Sequence, residues 1–330
     1  MKTAAVVFTG PDQVEVRDIE MPPPGPGEVQ VRTRFSTVSC GTEGWVLQNR
    51  FTWAATPYPC VAGYQRIGDI VALGEGVQGW RIGDRVMATT GCWKGAVVPF
   101  WGCHVAVGNT NAHEIYRIPA GAEETTASAT VVAEVGYNAA FRPALQPGDW
   151  VVVYGDGLIG QFGAQAARAR GAQVVLVGHR SVRLEAAKRA GIAHAVAGGS
   201  DVVERIRAIM GREHAAIVID TVQSESSQKE YMPLLEYAKG QIVYSGFTPG
   251  DTWASMAALQ QRELTTHFIA GWTRPRMEAT LNLIAAGKLD LRPITTHRVP
   301  FTRGAEMWKM IRQKTEPSLG VVFEWQVAGT

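Results

Sequence analysis

Residues Trp150 to Gly160 read WVVVYGDGLIG: five apolar or aromatic residues, then three glycines spaced GxGxxG. A short unbroken apolar run suits a strand buried on both faces, and the Ala-rich stretch that follows, QFGAQAARARG, has a helical composition. In a strand–turn–helix each glycine has its own task. Gly155 permits the tight turn, Gly157 lets backbone approach a pyrophosphate, and Gly160 lets helix and strand pack closely. The spacing alone is a weak signal; its place between a strand and a helix gives it weight. The helix start, Leu158 and Ile159, then presents unpaired N–H groups and the positive end of the helix dipole to a phosphate.

Downstream the alternation continues. AQVVLVGHR reads as a strand and SVRLEAAKRAG as a helix; AIVIDTV, GQIVYSGF and LTTHFIAG are further strands with helical patterns between them. This predicts an α/β fold with a doubly wound parallel sheet. Thr221 and Gly246 fall at strand C-termini, where ligands bind in such sheets. RPRMEATLNLIAAGKL is an amphipathic helix stopped by Gly287. About 20 residues past the glycines a carboxylate would bond the ribose 2′-OH of an adenosine. The chain has Gly178, His179 and Arg180 there instead. Arg180 and Arg183 suit a 2′-phosphate through charge-assisted hydrogen bonds, and His179 suits the adenosine end, so the predicted cofactor is NADP(H). Arg183 reads equally well as a solvated helix residue.

Upstream the texture differs. AAVVF, QVEVRDI, EVQVRTRFSTV, RIGDIVAL, RVMATT, HVAV and EIYRIP are short strands punctuated by Gly and Pro, with MPPPGPGE as a stiff turn. That spacing predicts a closed or nearly closed small barrel. The tail, HRVPFTRGAEMWKMIRQK…LGVVFEW, reads as strand, helix, strand and is expected to return to the barrel. The expected domains are residues 1–122 with 295–330, and 123–294.

A length of 330 residues and 46% hydrophobic content support two cores, and a net charge of +2 gives no electrostatic case for nucleic acid or an anionic membrane. No apolar run approaches the ~20 residues needed to span a bilayer. The N-terminal apolar stretch alternates like a strand and is too short for a secretory signal. The four cysteines, Cys40, Cys60, Cys92 and Cys103, share no CxxC spacing and read as free thiols of a reducing cytoplasm.

With these motifs in order, the chain resembles the medium-chain dehydrogenase/reductase superfamily. The resemblance rests on PPPGPGEVQVR, CGTE and GVQGWRIGDRV in the barrel half, GDGLIG and IDTV in the second half, and RPITTHRVPF near the end. It implies a GroES-like β-barrel catalytic domain, a Rossmann domain, an active site in the cleft between them, and a homodimer or homotetramer joined near LTTHFIAG. It also implies what ought to bind a metal. Zinc alcohol dehydrogenases of this kind use the Cys of CGT[DE], the His and Glu of a GHE motif, and a ligand near the interdomain segment. Here Cys40 keeps the first place, Glu134 falls near the last, and Tyr64 and Gln65 stand where GHE would be. A phenol and an amide are poor zinc ligands, and the four-Cys lobe of a structural zinc is missing, so the chain is read as zinc-free. STVSCGTE and YPCVAGYQRIGDI are closest in motif to the bacteriochlorophyllide dehydrogenase-like branch, which also lacks that histidine.

Without a metal, a hydroxyl must hand over or accept the proton as hydride moves. Thr42, where the family keeps a relay hydroxyl, and Tyr64, in the place of the metal-binding His, are the candidate catalytic residues. Tyr64 reads equally as filler of the vacated site, and Thr42 as a helix N-cap. Gln65 could orient substrate or Tyr64, while Glu43 reads as bonding backbone or a basic residue. The family's relay histidine falls on Trp45. Trp45 and Trp93, with Trp53 and Trp101 nearby, line either a flat apolar pocket or the core. His104 and His113 read as satisfied or surface histidines. The expected function is a zinc-independent, NADP(H)-dependent oxidoreductase interconverting a secondary alcohol and a ketone on a sugar, cyclitol or ring-bearing substrate. An enoyl or quinone reductase is the alternative, and a nucleotide-binding protein without turnover a third reading.

Overall fold

The structure, a computed structural model, describes residues 1–51, 54–247 and 254–325. The chain divides into two compact units, residues 1–131 with 295–330 and residues 132–294.

The first unit is built on the strand Glu28–Thr37. It pairs antiparallel with Arg66–Leu73 (Val31 opposite Ile70), with Val107–Asn111 (Val31 opposite Gly108) and with Gly320–Glu324 (Ser36 opposite Phe323). Thr295–Pro300 then adds parallel to Gly320–Glu324, so the tail joins the barrel sheet. A second sheet carries the hairpin Lys2–Gly10/Gln13–Glu20. Alternate residues of these strands point inward. Val29, Val31, Ile70, Val86 and Ile115 form one cluster, and Val6, Phe8, Val46, Leu47 and Phe323 another. Trp308, from the amphipathic helix Gly304–Gln313, meets Phe8 edge to face at 5.1 Å in the second cluster.

Two expectations are corrected here. The unit boundary lies after residue 131, not 122, because Glu123 caps the helix Glu124–Ala127 and Glu124 pairs with Arg34 at 3.0 Å and with Arg85. Ser128 also bonds Thr37 at 2.7 Å, which ties the whole turn to the barrel. The strand expected at HVAV begins at Val107 instead. His104 already spends its backbone on Ala62 (3.1 Å) and Val6 (3.0 Å).

The second unit is a six-stranded parallel sheet in the order His194–Ala197, Gln173–Gly178, Trp150–Tyr154, Ile217–Asp220, Gln241–Tyr244, Thr265–Phe268. All five residues of Trp150–Tyr154 are buried, as a central strand covered on both faces requires. Each fully buried valine of that run is worth about 1.5–3 kcal/mol. The strand order reverses between Trp150–Tyr154 and Ile217–Asp220, which places a ligand crevice at their carboxyl ends.

Candidate active site

In the barrel unit the segment between the strand Glu28–Thr37 and the helix Thr42–Leu47 forms a small polar centre. Gly41 occupies the N-cap position without any side-chain cap, so Thr42 is the first helical residue and not a cap. Glu43 Oε1 accepts the Ser39 backbone N–H at 2.9 Å, fastening the turn with a negative charge at the helix start. Its other oxygen faces His104 Nε2 at 2.8 Å, and both side chains are fully buried. His104 Nδ1 lies 2.9 Å from Ser36 Oγ, and Trp325 Nε1 donates to that same oxygen at 2.8 Å. A neutral His104 carrying its proton on Nε2 satisfies every member: Nε2–H donates to Glu43, and the Ser36 hydroxyl donates to Nδ1.

Above this base sits a cluster of hydroxyls. The Tyr64 hydroxyl donates a short hydrogen bond to Ser39 Oγ and is hydrogen-bonded by the Thr42 side chain. Burial first, and the Glu43 charge second, hold Tyr64 well above the usual tyrosine pKa, so its proton stays on through neutral pH. Cys40, partly exposed, is an electrostatic neighbour of the same hydroxyl. Aromatic rings surround it. Tyr64 meets Trp101 edge to face at 5.1 Å, Trp101 meets Phe100 at 4.8 Å and Phe51 at 6.2 Å, and Phe51 meets Trp45 at 6.2 Å. Sequence reasoning missed Ser39; it read Glu43 as bonding backbone or a basic residue and His104 as satisfied, but did not show that the two are each other's partners, since the pair spans 61 residues and no local pattern announces it.

Two expected pocket residues are placed elsewhere. Trp93 is buried in the core with Val7, Met21, Val61 and Val105, its Nε1 donating to the Val97 carbonyl at 2.9 Å. Gln65 is fully buried and donates to the Thr37 carbonyl at 3.2 Å, tying two strands together. Trp53 lies outside the described residues. His113 is exposed.

The donor set does not fit a zinc ion. Cys40 neighbours the Tyr64 phenol, which is bonded to two hydroxyls; both His104 nitrogens and both Glu43 oxygens are already engaged, and the Gln65 amide donates to a backbone carbonyl. Among the described residues no three His, Cys, Asp or Glu side chains are grouped so as to hold a metal. Glu134 belongs to the second unit, near the start of the helix Thr130–Phe141, with Arg276 Nε 2.6 Å from its Oε1. Burial pushes its carboxyl up to about 7 against the opposing pull of Arg276.

In the second unit the glycine turn fits a dinucleotide phosphate. Gly155 has φ +113°, and a Cβ there would run into the Thr221 hydroxyl. A Cβ at Gly160 would overlap the Gly155 carbonyl oxygen, whereas one at Gly157 would meet nothing within 4 Å among the described residues. Gly157 is the N-cap of Leu158–Ala169, so Leu158 and Ile159 open a helix whose N–H groups are available to an anion. The Thr221 hydroxyl is spent on the Tyr154 carbonyl at 2.9 Å, so it shapes the turn. Gly246, at φ +100°, faces the Ile159 side chain across the crevice.

The strand end that follows holds a group the sequence reading overlooked. Asp156, between the first two glycines, accepts the backbone N–H groups of His179 and Arg180 at 2.9 and 3.0 Å and pairs with Arg183 at 3.2 Å. A side chain at Gly178 would collide with Asp156, which explains that glycine. Arg183 is paired with Asp156, and His179, its ring against Gly198, and Arg180 are exposed at this strand end.

Comparisons with known proteins agree with the two-unit fold. Residues 25–122 match the family model of the alcohol dehydrogenase GroES-like domain, and residues 159–286 that of the zinc-binding dehydrogenases. A sorbitol dehydrogenase from Halalkalibacterium halodurans is 25% identical over 94% of this chain and 96% of its own. A 2-desacetyl-2-hydroxyethyl bacteriochlorophyllide A dehydrogenase from Cereibacter sphaeroides is 24% identical over 99% of both chains. An alcohol dehydrogenase from Escherichia coli solved with NADH superposes with a TM-score of 0.84, at 21% identity, over 98% of this chain and 99% of its own. Among the described residues no helix is long and apolar enough to cross a membrane.

Proposed function

Because the chain belongs to the medium-chain dehydrogenase/reductase superfamily, we propose that it is a zinc-independent oxidoreductase interconverting a secondary alcohol and a ketone, with NADP(H) as the preferred nicotinamide cofactor. The observation that carries the proposal is the hydroxyl cluster of Ser39, Thr42 and Tyr64, at the place where the motif for a metal has lost its histidine and glutamate. A nicotinamide, when bound, supplies or takes up the hydride. The residues of the chain must then manage one proton and one developing charge.

In the reductive direction the carbonyl oxygen becomes an alkoxide as hydride arrives. An alkoxide is a far stronger base than a tyrosinate, so Tyr64 gives up its proton downhill even with a raised pKa. Ser39 and Thr42 hold the phenol and can return a proton to it by hydroxyl-to-hydroxyl transfer. Glu43 and His104 fix the turn from beneath. The aromatic wall of Trp101, Phe100, Phe51 and Trp45 suits a ring-bearing substrate better than a small polar one. For the cofactor, exposed Arg180 beside His179, with Asp156 neutralised by Arg183 and two N–H groups, favours a 2′-phosphate. A cytoplasmic homodimer or homotetramer acting on a small molecule completes the reading.

The test is a panel of cyclic ketones, sugar ketones and conjugated enones, each followed by loss of reduced nicotinamide with NADPH and NADH. Ketone turnover, with NADPH preferred by roughly tenfold or more, is the expected result; one bidentate phosphate–guanidinium contact is worth about that much. Turnover of enones with none of ketones supports the reductase alternative and overturns the proposal.

A further inference from the structure

Glu134 is a fully buried carboxylate whose Oε1 is ion-paired with Arg276 at 2.6 Å, while its Oε2 has no hydrogen-bond partner among the described residues. The Arg276 guanidinium is the one cation against it among the described residues, and it is only partly buried. A buried carboxylate oxygen with no donor is costly unless something else completes it.

Its position says what. The helix Thr130–Phe141 runs alongside Leu158–Ala169 in the same direction: Gly136 packs on Phe162 and Gly163 in the second turn, while the Ala140 carbonyl takes Arg170 from the far end. The start of Thr130–Phe141 therefore lies at the carboxyl end of the sheet, where the glycine turn is. Arg276 Nη2 also donates to the Gly271 carbonyl at 2.9 Å, just past the carboxyl end of the edge strand Thr265–Phe268. That edge belongs to the half of the sheet beyond the reversal, Ile217–Asp220 to Thr265–Phe268. In a doubly wound sheet one half takes the adenosine and the other the second nucleoside. Gly178, His179 and Arg180 mark the adenosine half, so the Glu134–Arg276 pair stands on the nicotinamide half.

We propose that Glu134 and Arg276 recognise the nicotinamide carboxamide, Glu134 accepting its N–H and Arg276 donating to its carbonyl oxygen. The pair offers one acceptor and one donor side by side, which is the complement of a primary amide. The proposal rests on the nicotinamide reading of the preceding section and names a positioning site for that cofactor within this unit. A carboxylate kept short of partners until the cofactor arrives turns its own satisfaction into binding selectivity.

The test is equilibrium binding by tryptophan fluorescence quenching, independent of turnover, with NADPH and its 3-acetylpyridine analogue, which replaces the amide nitrogen by a methyl group. The wild-type protein is expected to bind NADPH at least tenfold more tightly than the analogue, since a hydrogen bond to a charged group is worth roughly that factor or more. Glu134→Leu should lose this discrimination, weakening NADPH about tenfold and leaving the analogue within about threefold. Glu134→Gln keeps an acceptor oxygen and should retain most of it. Equal wild-type affinity for the two cofactors overturns the proposal without any variant having to fold. Equal weakening of both by Glu134→Leu also overturns it, and assigns Glu134 a ribose or structural role. Binding of neither cofactor by the wild-type protein instead brings down the nicotinamide reading, and this inference with it.

Discussion

Tyr64→Phe should lower kcat for ketone reduction by roughly 10²–10⁴-fold, the range for loss of a positioned general acid, while cofactor affinity stays within about threefold. The substitution removes one oxygen. The ring keeps its edge-to-face contact with Trp101, and Ser39 loses one partner while remaining partly exposed to water. The loss should fall on kcat more than on KM, because the proton is needed only as the alkoxide forms. The sign of the pH dependence follows from the raised pKa of Tyr64. Its acid form persists well past neutrality, so reduction shows no alkaline decline attributable to this group below about pH 10. Alcohol oxidation needs the proton removed, so its rate should climb with pH over the same window, and Tyr64→Phe should flatten that climb. Steady-state rates in both directions from pH 6 to 10 decide the matter. A Tyr64→Phe protein with near-normal kcat and an unchanged profile would reduce Tyr64 to a space-filler.

Gly157→Asp should separate binding from folding. The residue has ordinary extended backbone geometry at the N-cap, with φ −73° and ψ 176°, and among the described residues nothing lies within 4 Å of where a side chain would begin. Aspartate is a better N-cap than glycine, so thermal stability should be unchanged or slightly higher, within about 0.5 kcal/mol. Yet the new carboxylate would stand where a pyrophosphate must approach the helix start, and like charges there should weaken NADPH binding by on the order of 100-fold, or about 2.7 kcal/mol. Fluorescence titration and a melting curve on the same preparation check both halves. Retained affinity would mean that the phosphates do not pass over Gly157.

The nucleotide half was legible in the sequence because its chemistry is local. A strand, three glycines and the start of a helix fall within a dozen residues, and the tasks of Gly155 and Gly160 follow from sterics. The barrel centre was legible only where a motif marked it. Thr42 and Tyr64 were found by position and are brought together by the fold. Ser39 was missed, since a serine in a turn carries no signal until its neighbour across space is known. For Trp93, left open between pocket and core, the structure shows the core, and Gln65 is found bonded to backbone. Where a side chain beside a barrel strand turns depends on contacts distant in sequence, and for Gln65 the partner, the Thr37 carbonyl, lies 28 residues away. The Asp156–Arg183 pair was hidden by a span of 27 residues. The nine-residue displacement of the unit boundary came from Glu124, whose partner Arg34 lies 90 residues away. Turn, cap and period rules describe neighbours in sequence; ion pairs and buried hydrogen bonds between distant segments obey the same physics but leave no spacing to read.

The central claim is that this barrel moves its proton through hydroxyl groups with no metal ion. The most direct measurement is the zinc content of the purified, active protein by elemental analysis, taken before and after exhaustive chelation, with turnover assayed on both samples. The account predicts far less than one zinc per chain and the same kcat on either side of chelation. About one zinc per chain, removed together with all activity and restored with it, would contradict the account outright.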